Sequence, residues 1–185
     1  MARNGILGAL AGAALDLLAS ALRKDGGGGA RRAPTRRRRT SEELPSLSTT
    51  DTVEVNPHGV PDLRLSYAPD RDGAPDAGEV VWTWVPYEEG DGRGKDRPVL
   101  VIGAHTADRV YAIKLTSRSH DGDREFLPLG SGPWDAKGRP SWADLDQLYS
   151  VHVGGMRREA AALDLERFTL VARRLQQRYG WSAGE

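Results

Sequence analysis

From residue 78 onward the hydrophobic pattern of the chain is short and strand-like. Val81, Thr83 and Val85 alternate with Val80, Trp82 and Trp84, so residues 78–86 read as a strand apolar or nearly so on both faces, as inside a small closed sheet. After a polar loop a second strand opens with Pro98, tolerated at a strand's first residue, and continues as Val99, Leu100, Val101 and Ile102. Residues 109–117 alternate Val110, Ala112, Ile113 and Leu115 with polar side chains, and 124–129 and 142–153 complete the strand set. Turn chemistry separates these runs: Asp121-Gly122-Asp123, Gly130-Ser131-Gly132-Pro133 and Lys137-Gly138-Arg139-Pro140. The period becomes helical over 164–179, where Leu165, Phe168, Val171, Ala172, Leu175 and Tyr179 share a face, with Asp164 placed to cap the start and Gly180 to stop the end. The pattern predicts a mainly β (α+β) domain, a small antiparallel β-barrel with a C-terminal helix packed on it.

Upstream the texture differs. Leu7, Leu10, Ala14, Leu17 and Ala21 recur at helical spacing, which predicts an apolar, amphipathic helix within residues 1–24. It reads as a secretory signal, as a partner-binding or interfacial helix, or as an inert extension. Asp16 and the Gly/Ala content argue against a signal peptide and a membrane span, which needs about twenty mostly uncharged residues. Residues 25–76 are rich in Gly, Pro and Ser and read as a largely disordered basic linker, leaving 77–181 as the folded domain.

Charge sharpens that division. The 26 Lys/Arg and 26 Asp/Glu cancel overall, but residues 1–46 hold nine basic against four acidic side chains, so the remainder is mildly acidic. A polyanion must therefore be met by a local patch or by the tail, where Arg31, Arg32, Arg36, Arg37, Arg38 and Arg39 make a basic run. That run offers a weak hold on RNA, DNA or an anionic surface; a solvated tail is the plainer reading, because no aromatic residue is interleaved for base stacking. With no cysteine, disulfide scaffolds, thiolate zinc sites and cysteine nucleophiles are excluded. His58, His105, His120 and His152 lack metal-ligand spacing, so neither a metal nor another cofactor is expected. The five tryptophans read as core or interface residues, with Trp134, in a glycine-rich turn, the one expected to be exposed.

Gly78-Glu79-Val80-Val81-Trp82, the charged loop leading into Arg97-Pro98-Val99-Leu100-Val101-Ile102, and Leu115-Thr116-Ser117 together resemble the MazF/PemK family of toxins from toxin-antitoxin modules, over about residues 77–181. The resemblance implies an SH3-like barrel, a homodimer and a cytoplasmic endoribonuclease. Such an enzyme cuts single-stranded RNA at short sequences without a metal, and a cognate antitoxin protein occupies its RNA groove. The alternative is a barrel that keeps the fold but not the catalysis and binds nucleic acid or protein.

Cleavage by the RNA's own 2′-hydroxyl requires a base, an acid and donors for the extra phosphate charge. Arg97 suits the charge, because its planar donor fork matches phosphate oxygens; pairing with Asp96 or Glu89 is its structural alternative. Thr116 and Ser117 match, by the resemblance, positions that contact the scissile phosphate. Asp146-Gln147 resembles an acid-plus-glutamine pair near the site in some members, with Asp146 as base or orienting group. Some such members place an arginine two residues before the acid, where this chain has Asp144, and others place one two residues after the glutamine, where it has Tyr149. Lys114, Arg118 and His120 are the candidates for the missing proton donor. Glu89 and Lys95, in the loop flanking the groove, together with Lys114, Arg118 and Gln147, complete the expected substrate-binding set.

Overall fold

The computed structural model describes residues 50–70, 74–87 and 92–184 of the 185, without the side chains of 158–160. The expected helix within 1–24, the arginine run 31–39 and Glu89 lie outside the described residues. Nine strands, β1 (Val53–Val55), β2 (Arg64–Leu65), β3 (Glu79–Pro86), β4 (Gly94–Thr106), β5 (Arg109–Thr116), β6 (Phe126–Gly130), β7 (Ser141–His152), β8 (Met156–Ala162) and β9 (Ser182–Ala183), are described together with one helix, α1 (Leu165–Tyr179). The main sheet is antiparallel in the order β1-β7-β5-β4-β3-β8, with β6 also on β7.

Alternation along β4, β5 and β7 sends side chains to two separate cores. Leu100, Ile102, Ile113, Leu115 and Leu148 face α1, which contributes Phe168, Val171 and Leu175. Val99, Val101, Val110, Ala112, Tyr149 and Val151 face the other way and pack with Val81 and Val85 of β3. Burial of each large apolar side chain contributes about 1.5–3 kcal/mol, so the helix-side core, with more and larger buried side chains, carries the greater share. The second face is enclosed because the sheet curls on itself: the hydroxyls of Thr52 and Thr83 meet at 3.1 Å, and Thr83 Oγ1 also donates to the Gly155 carbonyl. Among the described residues no backbone ladder joins the sheet ends β1 and β8, so the barrel-like curl is closed by side chains rather than by strand pairing.

The helix begins and ends where its sequence dictates. Asp164 Oδ1 accepts from the Arg167 amide at 2.9 Å, and Gly180 takes the left-handed conformation (φ 76°) that lets its amide reach the Gln176 carbonyl. Leu165 departs from the expected apolar stripe: it is exposed at the first helical position, where the chain has not yet turned onto the core.

Three expectations are corrected. The linker expected to extend to residue 76 is ordered over 50–70, where β1 pairs with β7 and β2 lies parallel to β9. Leu63 and Leu65 are buried there, and the segment is tied down by Trp181 Nε1 donating to the Val60 carbonyl and by Tyr67 Oη donating to the Leu163 carbonyl. Second, residues 156–162 form β8 on β3, although the Arg/Glu/Ala run has no strand signal of its own. Third, Trp134 is buried and Trp84 is the exposed tryptophan, 3% against 40%. The Trp134 indole turns inward to donate to Ser141 Oγ and is covered by the Arg167 guanidinium, 5.9 Å from the ring centre.

Replacing Leu65 by Ala is expected to lower unfolding free energy by about 2–5 kcal/mol in urea titrations, as for a fully packed leucine. A loss below about 0.5 kcal/mol, the range of surface positions, would show that 50–70 is not part of the core.

Candidate functional site

Val99 of β4 pairs with Lys114 of β5. Beyond that pair β4 reaches back to Arg97, opposite Thr83 of β3, and β5 runs on to Thr116, opposite Trp142 of β7. Here the apolar runs of both strands give way to polar residues, and a pocket of about 140 Å3 opens. Lys95, Asp96, Arg97 and Pro98 line it from β4, Trp82 from β3, and Leu115, Thr116 and Ser117 from the end of β5. Asp135, Arg139 and Ser141 close its far side from the turn between β6 and β7.

The structure thus brings Arg97, Lys95, Thr116 and Ser117 together. Arg97 is half-buried and has no ion pair among the described residues. Its neighbour Asp96 is engaged elsewhere, 2.7 Å from Arg157 of β8. Thr116 Oγ1 accepts from the Arg118 amide at 3.2 Å, which shapes the chain after β5 and leaves the Arg118 side chain at the exposed rim.

Other expected residues are held outside the pocket lining. Lys114 is 3.2 Å from the buried Asp144 carboxylate and donates to Gln147 Oε1, which also accepts from Tyr149 Oη at 2.9 Å. Lys114 and Gln147 therefore belong to one buried polar cluster on β5 and β7, and the Asp144 found in place of an arginine serves as the counter-charge of Lys114. Asp146 is separated from the pocket by its ion pair with Arg178 of α1. His120 stacks on Phe126 and contacts Asp123 within its own turn.

Asp135 and Arg139 were missed from the sequence. They form an ion pair across one tight turn, with Arg139 Nε 2.9 Å and Nη2 2.8 Å from Asp135 Oδ2, while Oδ1 accepts from the Lys137 amide. The available signal was the Asp-x-x-x-Arg spacing within Trp134-Asp135-Ala136-Lys137-Gly138-Arg139, which reads only as a polar turn until β6 and β7 place it beside Arg97. Bonding to Arg139 holds the Asp135 carboxyl below its usual value, assisted by the Lys137 amide and opposed by burial. Among the described residues, no group of three or more His, Asp or Glu side chains is arranged to hold a metal ion.

Because the folded-state value of Asp135 is lowered, the stabilisation from its contacts is present above the ordinary carboxylate range and is lost as pH falls through the folded value. Carbon-detected NMR titration is expected to place the Asp135 midpoint below that of an unperturbed aspartate, and Arg139→Ala to raise it. An unchanged midpoint in Arg139→Ala would contradict the pairing.

Comparison with known proteins agrees with the sequence resemblance. No curated protein matches the chain. Among solved structures it is similar to MazE-MazF from Deinococcus radiodurans, with 25% identity over 59% of this chain and 99% of that one and a TM-score of 0.43. It is similar also to MazF of the same organism, with 24% identity over 58% and 97% and a TM-score of 0.43. The Mycobacterium tuberculosis toxin MazF-mt6 has 15% identity over 55% and 98% and a TM-score of 0.39. Residues 76–179, more than half of the chain, match the model of the PemK-like, MazF-like toxins of type II toxin-antitoxin systems, and the chain belongs to that family.

Proposed function

We propose that this member of the toxin family is an endoribonuclease that cuts single-stranded RNA without a metal ion. The observation that carries the reading is Arg97: a half-buried guanidinium with no ion pair among the described residues, sharing a small pocket with the hydroxyls of Thr116 and Ser117. A half-buried guanidinium with no ion pair among the described residues is favoured by an arriving anion, and a phosphodiester supplies one in the geometry the fork prefers.

In this reading a 2′-oxygen attacks the adjacent phosphorus while its proton passes to a base. The bond from phosphorus to the 5′-oxygen breaks, and that oxygen takes up a proton. The products are a 2′,3′-cyclic phosphate and a 5′-hydroxyl. Arg97 binds the phosphate oxygens as charge accumulates on them, and Thr116 and Ser117 donate hydrogen bonds that orient the group. Asp135, kept ionised by Arg139, is the carboxylate that the pocket presents to the 2′-hydroxyl. Lys95 and Arg139 supply further N–H donors to the phosphate and the leaving oxygen, and Arg118 extends the cationic rim along the strand. Lys114 and Gln147 support the end of β5 from beneath through the Asp144–Tyr149 cluster. Asp146, paired with Arg178 and outside the pocket lining, takes no part in the chemistry. An antitoxin that covers this pocket would compete with RNA for the same cations, and the active toxin is a homodimer acting in the cytoplasm.

What favours a binding module instead is that the Asp146-Gln147 pair lacks, at Asp144 and at Tyr149, the arginines that the resemblance places beside it in some members, and that Asp146 itself is paired with Arg178. Incubation of purified protein with a long unstructured RNA in EDTA separates the two. Discrete cuts with cyclic-phosphate ends are expected, reduced by about 100-fold or more in Arg97→Ala while the circular dichroism spectrum and melting midpoint persist. RNA that is retarded on a gel but left whole would establish a binding module, and RNA neither bound nor cut would overturn both readings.

A further inference from the structure

Trp84 stands apart from the other tryptophans. Trp134, Trp142 and Trp181 are 3%, 8% and 2% exposed, whereas Trp84 is 40% exposed. It lies on the same face of β3 as Trp82, which lines the pocket, one strand repeat or about 6.6–6.8 Å further along. Directly across on β4 is Asp96, another pocket residue, flanked by Lys95 and Arg97. The indole rests against Gly94, where any Cβ would stand 2.6 Å from Trp84 Cε2 and 2.5 Å from the Val85 carbonyl oxygen. Glycine at 94 therefore allows the ring to seat on the backbone of β4 while the residue stays 40% exposed. The carboxylate beside it is neutralised by Arg157, which removes the charge that would repel an approaching nucleotide.

We infer that Trp84 is a stacking platform for one base of the bound RNA, the base of a nucleotide neighbouring the phosphate held at Arg97. The inference rests on the RNA-cleaving reading above and adds to it a position-specific determinant of strand binding. A large flat ring supported on one side, on the strand face that carries Trp82 and Asp96 to the pocket, sets an aromatic face for a base one strand repeat from a pocket whose lining includes the cations Lys95 and Arg97 for the backbone. Every base has a face to stack, so the contact contributes affinity at one position without reading a hydrogen-bond pattern.

The test uses full-length wild type, Trp84→Ala and Trp84→Phe. Each is titrated, by fluorescence anisotropy, with a labelled 2′-O-methyl copy of the RNA substrate, in which the nucleophile is blocked. A parallel series of copies carries a single abasic nucleotide at successive positions around the pocket-bound phosphate. Trp84→Ala is expected to weaken binding about tenfold and Trp84→Phe to retain most of the affinity. One abasic position should reproduce the loss in wild type and cause no further loss in Trp84→Ala. Wild-type affinity in Trp84→Ala, or an abasic penalty equal in the two proteins at every position, would overturn the inference while leaving RNA cleavage standing. Conversion of a dimer to a monomer by Trp84→Ala in sedimentation would overturn it in favour of a self-association contact. Wild type that neither binds nor cuts would overturn the cleavage reading and this inference with it. Should Trp84→Ala fail to fold, Trp84→Leu, which keeps apolar bulk without a flat ring, takes its place: the same loss and the same missing abasic penalty at one position are expected, and wild-type affinity would overturn the inference.

Discussion

The register of β4 against β5 is the constraint on which the site depends. With Val99 opposite Lys114, the strands send Leu100 and Ile113 to the helix side and Val101 and Ala112 to the opposite core. Slipping one strand by a single residue would exchange its two sets of side chains, placing the larger Leu and Ile where the fold has room for Val and Ala. Packing on both faces therefore fixes the register more tightly than one-sided burial would. Arg97 and Thr116 lie just beyond the apolar stretch, so their relative position is set by a core to which neither contributes. The separation has a chemical use, because a polar pocket at the end of a rigid ladder can be hydrated and charged without weakening the packing beneath it.

Electrostatics around the pocket follows from where the carboxylates are engaged. The chain beyond residue 46 is mildly acidic, which taken alone argues against a polyanionic substrate. Among the described residues, four acids near the strand ends are nevertheless each matched: Asp96 by Arg157, Asp135 by Arg139, Asp144 by Lys114 and Asp146 by Arg178. The more exposed of these pairs, such as Asp96 with Arg157, add little to stability. Their effect is to neutralise these acids locally, which leaves Arg97 and Lys95 as the pocket-lining cations with no ion pair among the described residues. A global charge count misses this, because the field in a small cleft is governed by neighbours within a few ångströms.

The segment 50–70 gives this member of the family a covered helix. Leu63, Leu65, Tyr67 and the Val60 carbonyl meet Leu163, Phe168 and Trp181, with Tyr67 and Phe168 rings 5.1 Å apart. The helix is thus packed against the sheet and is also overlaid by chain that lies outside the matched residues 76–179.

Strands β3 to β7 and the helix were legible from residue order, because their signals are local: period-two alternation of Val, Leu and Ile, turns marked by Gly and Pro, and a helix capped by Asp164 and Gly180. The same reading missed β1, β2, β8 and β9, which are short or carry polar and alanine-rich sequence and exist through partners far along the chain, such as Ser150 for Val53 and Ser182 for Arg64. Within the site, Arg97, Thr116 and Ser117 were recognised from short strings, and the strand register brought them together. The removal of Asp146 to the helix, the pairing of Lys114 with Asp144, the arrival of Asp135 and Arg139, and the exchange of roles between Trp84 and Trp134 were decided only by tertiary structure. What the sequence by itself determined is therefore what each short stretch can be, since backbone periodicity and turn chemistry act over a few residues. Which side chains meet, and which charges cancel, was decided by the curl of the sheet and the closing of distant segments over it, because ion pairs and exposure depend on distances that no local pattern encodes.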